Sequence, residues 1–171
     1  DPDLSRTLMD KCVITAKDFA KAQLKAGCDI IGIGDAICSQ IDPTTYATFV
    51  KERQKEIVDF IHENGGLVKL HICGDITHLL GEIKDLKVDI LDLDWQVDLK
   101  EAYKIVGPDV IRCGNINPVE IQNGSYDEVK EMSGKLVQKE KQYKYILSGG
   151  CEITVNTPPA NLTAMREASV Y

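Results

Sequence analysis

His71 and Cys73 stand two positions apart at the end of an apolar stretch, Leu67 to Ile72, that reads as a buried strand. In an extended chain residues i and i+2 point to the same face, so an imidazole nitrogen and a sulfur at this spacing can reach one ion. Zinc accepts both donor types. Three protein ligands with a fourth position kept for water or substrate is its catalytic arrangement, and a fourth protein ligand marks a structural site. Cys151 leaves a later strand, Tyr145 to Ser148, through Gly149-Gly150 and is the natural third donor. A strand-end His or Cys that is merely packed or hydrogen-bonded gives the same H-x-C pattern, so the metal reading leans on the second strand-end cysteine. Cys38, Asp35 and Glu152 are the side chains that could close the tetrahedron.

The acidic residues fall in the same places. Asp92 and Asp94 share one face of a strand, while Leu91, Leu93 and Trp95 share the other, which is expected to lie against helices. Inward carboxylates are costly unless paired. The two aspartates are therefore expected at the mouth, as partners of the metal histidine or as substrate contacts. The ordinary alternative is that one caps a helix or binds a neighbouring amide. Asp35 and Asn115 end two further strands and carry the same choice. Lys69 shares the parity of His71 one step deeper, as a buried charge partner would. His62 and His78 fall on helices among charged neighbours and are expected at the surface. Cys12 and Cys28 belong to the first helix, away from the mouth, and Cys113 has inward parity with a core role.

Strands and helices alternate to position these groups. A helical period from near Leu4 to Ala26 ends at Gly27. The strands are Ile30 to Gly34, Leu67 to Ile72, Asp89 to Asp94, Val110 to Gly114 and Tyr145 to Ser148. Between them lie helical patterns at Tyr46 to His62, opened by Asp42-Pro43, at Thr77 to Leu86 and at Leu99 to Val106. Ser125 with Glu128 opens a helix running to about Lys141, and Pro158-Pro159 opens the last one. Alternation of this kind implies a parallel sheet with helical crossovers. A closed β/α barrel has eight strands and about 250 residues. Five strands in 171 residues predict an α/β fold that is part of a TIM (β/α)8 barrel, a single domain over 1–171, with open edge strands that favour self-association. A small open α/β sheet is the alternative, and no glycine-rich phosphate loop supports a nucleotide-binding version of it.

Composition narrows the partners. A chain of 171 residues buries enough surface to fold without a metal, so a metal here is expected to be functional. The net charge of −7 repels phosphate backbones and anionic membranes, which argues against nucleic acid and lipid partners. No apolar run is long enough to span a bilayer, and Asp1 to Asp10 lacks signal-peptide character. A cytoplasmic protein is expected, and its six cysteines, none in a C-x-x-C pair, are expected to be thiols.

Several stretches resemble the uroporphyrinogen decarboxylase family: Ala26-Gly27-Cys28-Asp29, Asp42-Pro43, His71-Ile72-Cys73-Gly74, Leu93-Asp94-Trp95, Gly114-Asn115-Ile116-Asn117-Pro118, and Gly150-Cys151-Glu152 to Thr157-Pro158-Pro159-Ala160-Asn161-Leu162. The resemblance covers nearly the whole chain and implies the C-terminal half of that family's barrel. Within the family, H-x-C with a later G-C resembles the zinc-dependent corrinoid methyltransferases, including the methylcobalamin:coenzyme M type; decarboxylases proper lack these ligands. The resemblance thus implies zinc held by His71, Cys73 and Cys151, and methyl transfer between a corrinoid (methylcobalamin, free or on a corrinoid protein) and a small thiol such as coenzyme M. Asp94 or Glu152 would orient the histidine or take a proton, and Asp35 and Asn115 would touch substrate. The alternatives are transfer from a methoxylated methyl donor to a corrinoid protein, a decarboxylase-like carboxylyase, and a non-catalytic docking fragment.

Overall fold

A computed structural model describes residues 1–169. Five parallel strands lie side by side in chain order: β1 (Ile30–Asp35), β2 (Leu67–Ile72), β3 (Ile90–Leu93), β4 (Ile111–Ile116) and β5 (Tyr145–Gly149). The helices are α1 (Pro2–Lys25), α2 (Pro43–Tyr46), α3 (Glu52–Glu63), α4 (Leu80–Lys84), α5 (Leu99–Val106), α6 (Pro118–Asn123), α7 (Tyr126–Glu140) and α8 (Pro159–Ala168). β1 and β5 are the open edges of the sheet.

Local chemistry explains most boundaries. Asp42 accepts from the Thr45 amide ahead of Pro43, and Ser125 and Glu128 form a reciprocal capping box at α7. Three elements differ from the sequence expectation. The Thr77 to Leu86 segment is a 3-10 turn, Thr77–Leu79, followed by the short α4, because Asp75 draws the Thr77 amide and hydroxyl into a local turn first. The helix opened by Asp42-Pro43 starts there as expected, but it passes through a π-helical turn at Ala47–Lys51 before continuing. Asn117 caps an additional helix, α6, with Pro118 at its first position.

The two faces of the sheet differ sharply. Outward-facing Ile31, Val68, Leu70, Ile72, Leu91 and Leu93 are buried under the helices with Val58, Ile61, Leu79, Leu80, Ile83 and Ala102. On the inner face Ile30, Leu67 and Ile146 are 46%, 45% and 41% exposed. That is the face a closed barrel would cover. Leu4, Leu8 and Phe19 on α1 are exposed as well. Among the described residues no helix is long and apolar enough to cross a membrane.

A pair of opposite charges is buried on the helix side. Arg112 on β4 is fully inaccessible, its Nη1 donates to the Leu99 carbonyl at 2.7 Å, and its guanidinium lies over the rings of Tyr103 and Tyr143 at 4.9 and 4.7 Å. Glu140 on α7 approaches its Nη2 at 2.7 Å, off-line for a hydrogen bond, so charge rather than directional bonding holds the pair. The pair ties α7 to the strand that ends in Asn115. Breaking such a pair leaves an uncompensated buried cation, which outweighs any gain from relieving the carboxylate's desolvation. Glu140→Ala should lower unfolding free energy by about 3–5 kcal/mol, measured by urea denaturation.

Candidate metal centre

The donors converge at the C-terminal ends of β2 and β5. Cys73 Sγ lies 3.4 Å from His71 Nε2 and 3.7 Å from Cys151 Sγ, and the three donor atoms fall within 4.8 Å of one another. Tetrahedral zinc with ordinary bond lengths requires S···N and S···S edges of about 3.6 and about 3.8 Å, so this trio is spaced to share one ion. Among the described residues no fourth His, Cys, Asp or Glu joins the group. Cys38 is buried beside Asp35, which together with burial pushes its thiol well above the usual range. It is not part of the trio.

The imidazole is oriented before any ion arrives. Its Nδ1 lies 3.0 Å from the Asp92 carbonyl oxygen, which can only accept, so Nδ1 carries the proton and Nε2 offers its lone pair toward Cys73. The Asp92 carboxylate is 3.8 Å from the same nitrogen and 2.7 Å from Lys69 Nζ. Asp92 therefore meets the histidine mainly through its backbone, and Lys69 is the charge partner its parity suggested, neutralising the Asp92 carboxylate. Cys113 is buried, and burial and Asp92 push it up to about 11.

Cys73 is held from two sides. Its amide donates to the Asp35 carbonyl at 3.0 Å, and the next amide, of Gly74, donates to Asp94 Oδ2 at 2.8 Å. Gly74 has φ +88, and a Cβ there would meet Ser39 Oγ at 2.8 Å. Asp94 Oδ1 accepts from the Gln96 amide at 3.1 Å, so this carboxylate binds neighbouring amides and does not reach the imidazole. The Asp35 carboxylate accepts from Ile37 and Cys38 amides and from Gln54 Nε2. Asn115 Nδ2 donates to the carbonyls of Asp94 and Val97. Glu152 is exposed beside Cys151.

Cys151 is fixed by backbone contacts that spacing could not reveal. Trp95 N donates to Gly150 O at 3.0 Å, and Gly150 N donates to Ile116 O at 2.7 Å. Gly150 lies so close to the Trp95 backbone that any Cβ would overlap it. Trp95 was expected against the helices with Leu91 and Leu93, but it is 47% exposed, because the strand ends at Leu93 and the chain turns toward Gly150. His78 is exposed as expected, whereas His62 is half-buried and joins Asp89 Oδ2 at 2.8 Å.

Residues 1–170 match the profile of the uroporphyrinogen decarboxylase (URO-D) family. The chain belongs to the uroporphyrinogen decarboxylase family. Within this family it is 33% identical over 163 residues to a uroporphyrinogen decarboxylase of Prochlorococcus marinus subsp. pastoris, covering 94% of this chain and 46% of the relative. It is 34% identical over 170 residues to the methylcobamide:CoM methyltransferase MtbA of Methanosarcina mazei, covering 98% and 49%. It thus spans about half the length of the curated relatives it matches. A solved methyltransferase from Methanosarcina mazei superposes with a TM-score of 0.88 at 24% identity, over 99% of this chain and 50% of that one, so the fold is a partial α/β barrel of that type.

Two outcomes follow for the metal centre. Releasing the Cys73–Gly74 turn with Asp94→Ala should weaken zinc binding by about 10–100-fold in a competitive chelator titration, while Glu152→Gln leaves it unchanged. Burial first, then the neighbouring Cys151, pushes the Cys73 thiol up to about 11. A raised thiol holds its proton, which a cation must expel. Zinc affinity should therefore fall by about tenfold per pH unit, for this proton alone, as pH drops below that value.

Proposed function

We propose that His71, Cys73 and Cys151 hold a zinc ion and that the protein moves a methyl group between a corrinoid and a small thiol. The observation that carries this reading is the donor set itself: one imidazole and two thiols, spaced for one tetrahedral ion, with three donors supplied by the described chain. Its similarity to a methylcobamide:CoM methyltransferase supports the same class.

Bound there, zinc would supply a Lewis acid that keeps a substrate thiol deprotonated at neutral pH. The residues of this chain do the rest. Cys73 and Cys151, as thiolates, would offset the ion's double positive charge and leave a bound substrate sulfur electron-rich. The Asp92 carbonyl holds the imidazole with Nε2 forward. Asp94 and the Asp35 carbonyl fix the turn that carries Cys73, which makes Asp94 a positioning group. Glu152, exposed beside Cys151, is the carboxylate available to take the substrate's proton. Asp35 and Asn115 shape the mouth through their contacts to Gln54, Asp94 and Val97. The same mouth would receive the corrinoid, free or protein-bound.

A decarboxylase-like carboxylyase is the second reading, favoured by relatives that bear that name at 33% identity. It leaves the two converging thiols without a task. Zinc content and zinc-edge X-ray absorption separate the readings. One equivalent of zinc in a two-sulfur, one-nitrogen site, lost in Cys73→Ala and Cys151→Ala and gaining a sulfur on exposure to a thiol, is expected. Zinc occupancy indifferent to both cysteines would sink the methyl-transfer reading.

A further inference from the structure

The sulfurs of Cys73 and Cys151 lie 3.7 Å apart although 78 positions separate the two residues in the chain. A disulfide needs about 2.05 Å, and the difference is within the reach of a side-chain rotation. Cys151 also opens the irregular segment between β5 and α8, so no strand ladder holds it. Both residues are half-buried and open to a molecule as small as a peroxide, whereas Cys38 and Cys113 are buried. Cys12 and Cys28 are exposed, but they belong to α1 and the turn after it and take no part in the donor trio.

We infer that Cys73 and Cys151 form a site of reversible oxidation, closed to a disulfide by a peroxide. One sulfur attacks a peroxide oxygen: an S–O bond forms, the O–O bond breaks, and the departing oxygen leaves as water with the thiol's proton. The second sulfur then displaces the hydroxyl, which leaves as a second water with the second proton. The two sulfurs give up two electrons between them, and the peroxide is reduced. Because the fold has already brought the second sulfur into contact, this closure is intramolecular and outpaces further oxidation of the first.

The sulfur pair stands on its own geometry, and its consequence rests on the metal reading. Thiolates are the metal-binding form of cysteine, so a disulfide removes two of the three donors at once. Zinc binding and oxidation therefore exclude each other: the ion occupies the sulfurs that a peroxide would join, and the joined sulfurs cannot hold the ion.

The test uses the purified chain carrying Cys12→Ser and Cys28→Ser, which removes the exposed thiols, stripped of metal and then exposed to hydrogen peroxide. The intact mass should fall by about 2 Da, peptide mapping should find Cys73 joined to Cys151, and dithiothreitol should restore both thiols. Cys151→Ser should give no intramolecular link. Loading with zinc before the peroxide should slow linkage by roughly tenfold, and the oxidised chain should bind no zinc until it is reduced. Thiols that survive peroxide, or that are consumed without a Cys73–Cys151 link, overturn the inference whatever the metal result. A link that forms equally fast with and without zinc overturns the metal reading and supports the sulfur pair.

Discussion

The close approach of Gly150 to Trp95 is the contact on which the candidate centre depends. In a flat sheet, β2 and β5 would stand three strand spacings apart, about 14 Å. Their terminal cysteines nevertheless lie 3.7 Å apart. The sheet must curl, and the loop after β5 must be drawn inward. Two backbone hydrogen bonds at Gly150, one to Trp95 and one to Ile116, draw it in. Only a residue without a side chain fits there, so the glycine before Cys151 serves placement more than flexibility.

The remaining donors are organised with the same economy. The Asp92 carbonyl fixes the tautomer of His71, while the Asp92 side chain is occupied by Lys69. Asp94 gives both oxygens to backbone amides. These aspartates act through geometry: Asp92 orients a ligand through its backbone carbonyl, and Asp94 fixes the turn that carries another through its carboxylate. Preorganisation of this kind lowers the entropic cost of capturing an ion, which matters most where burial already favours the protonated thiol of Cys73.

The asymmetry of the sheet bears on family membership. Its helix-covered face is a finished core that includes a buried Arg112–Glu140 pair, whereas its inner face exposes Ile30, Leu67 and Ile146. A chain that spans half of its relatives' length and superposes on half of a solved methyltransferase presents the pattern expected of one side of a barrel. The two carboxyl-end clusters, at β2 and β5, nevertheless both lie within it.

Much of this was legible in the residues themselves. Periodicity fixed the five strands and their order of appearance, because burial against helices demands apolar side chains at most outward positions, Arg112 with its Glu140 partner being the exception. The i, i+2 spacing of His71 and Cys73 put both on one face, since strand geometry allows nothing else. Spacing could not say whether Asp94 faces an ion or an amide, because that depends on where the Gly74 turn folds back across 20 residues. Nor could it foresee that Trp95 leaves the helix side, that His62 pairs with Asp89, or that Asn117 starts a helix, each settled by contacts between segments distant in sequence or by a local cap that outcompetes periodicity. The convergence of Cys151 on Cys73 across 78 positions belongs to the tertiary structure alone: parity assigns a side chain to a face, but only the curl of the sheet and the Gly150 clamp bring two strand ends within reach of one ion.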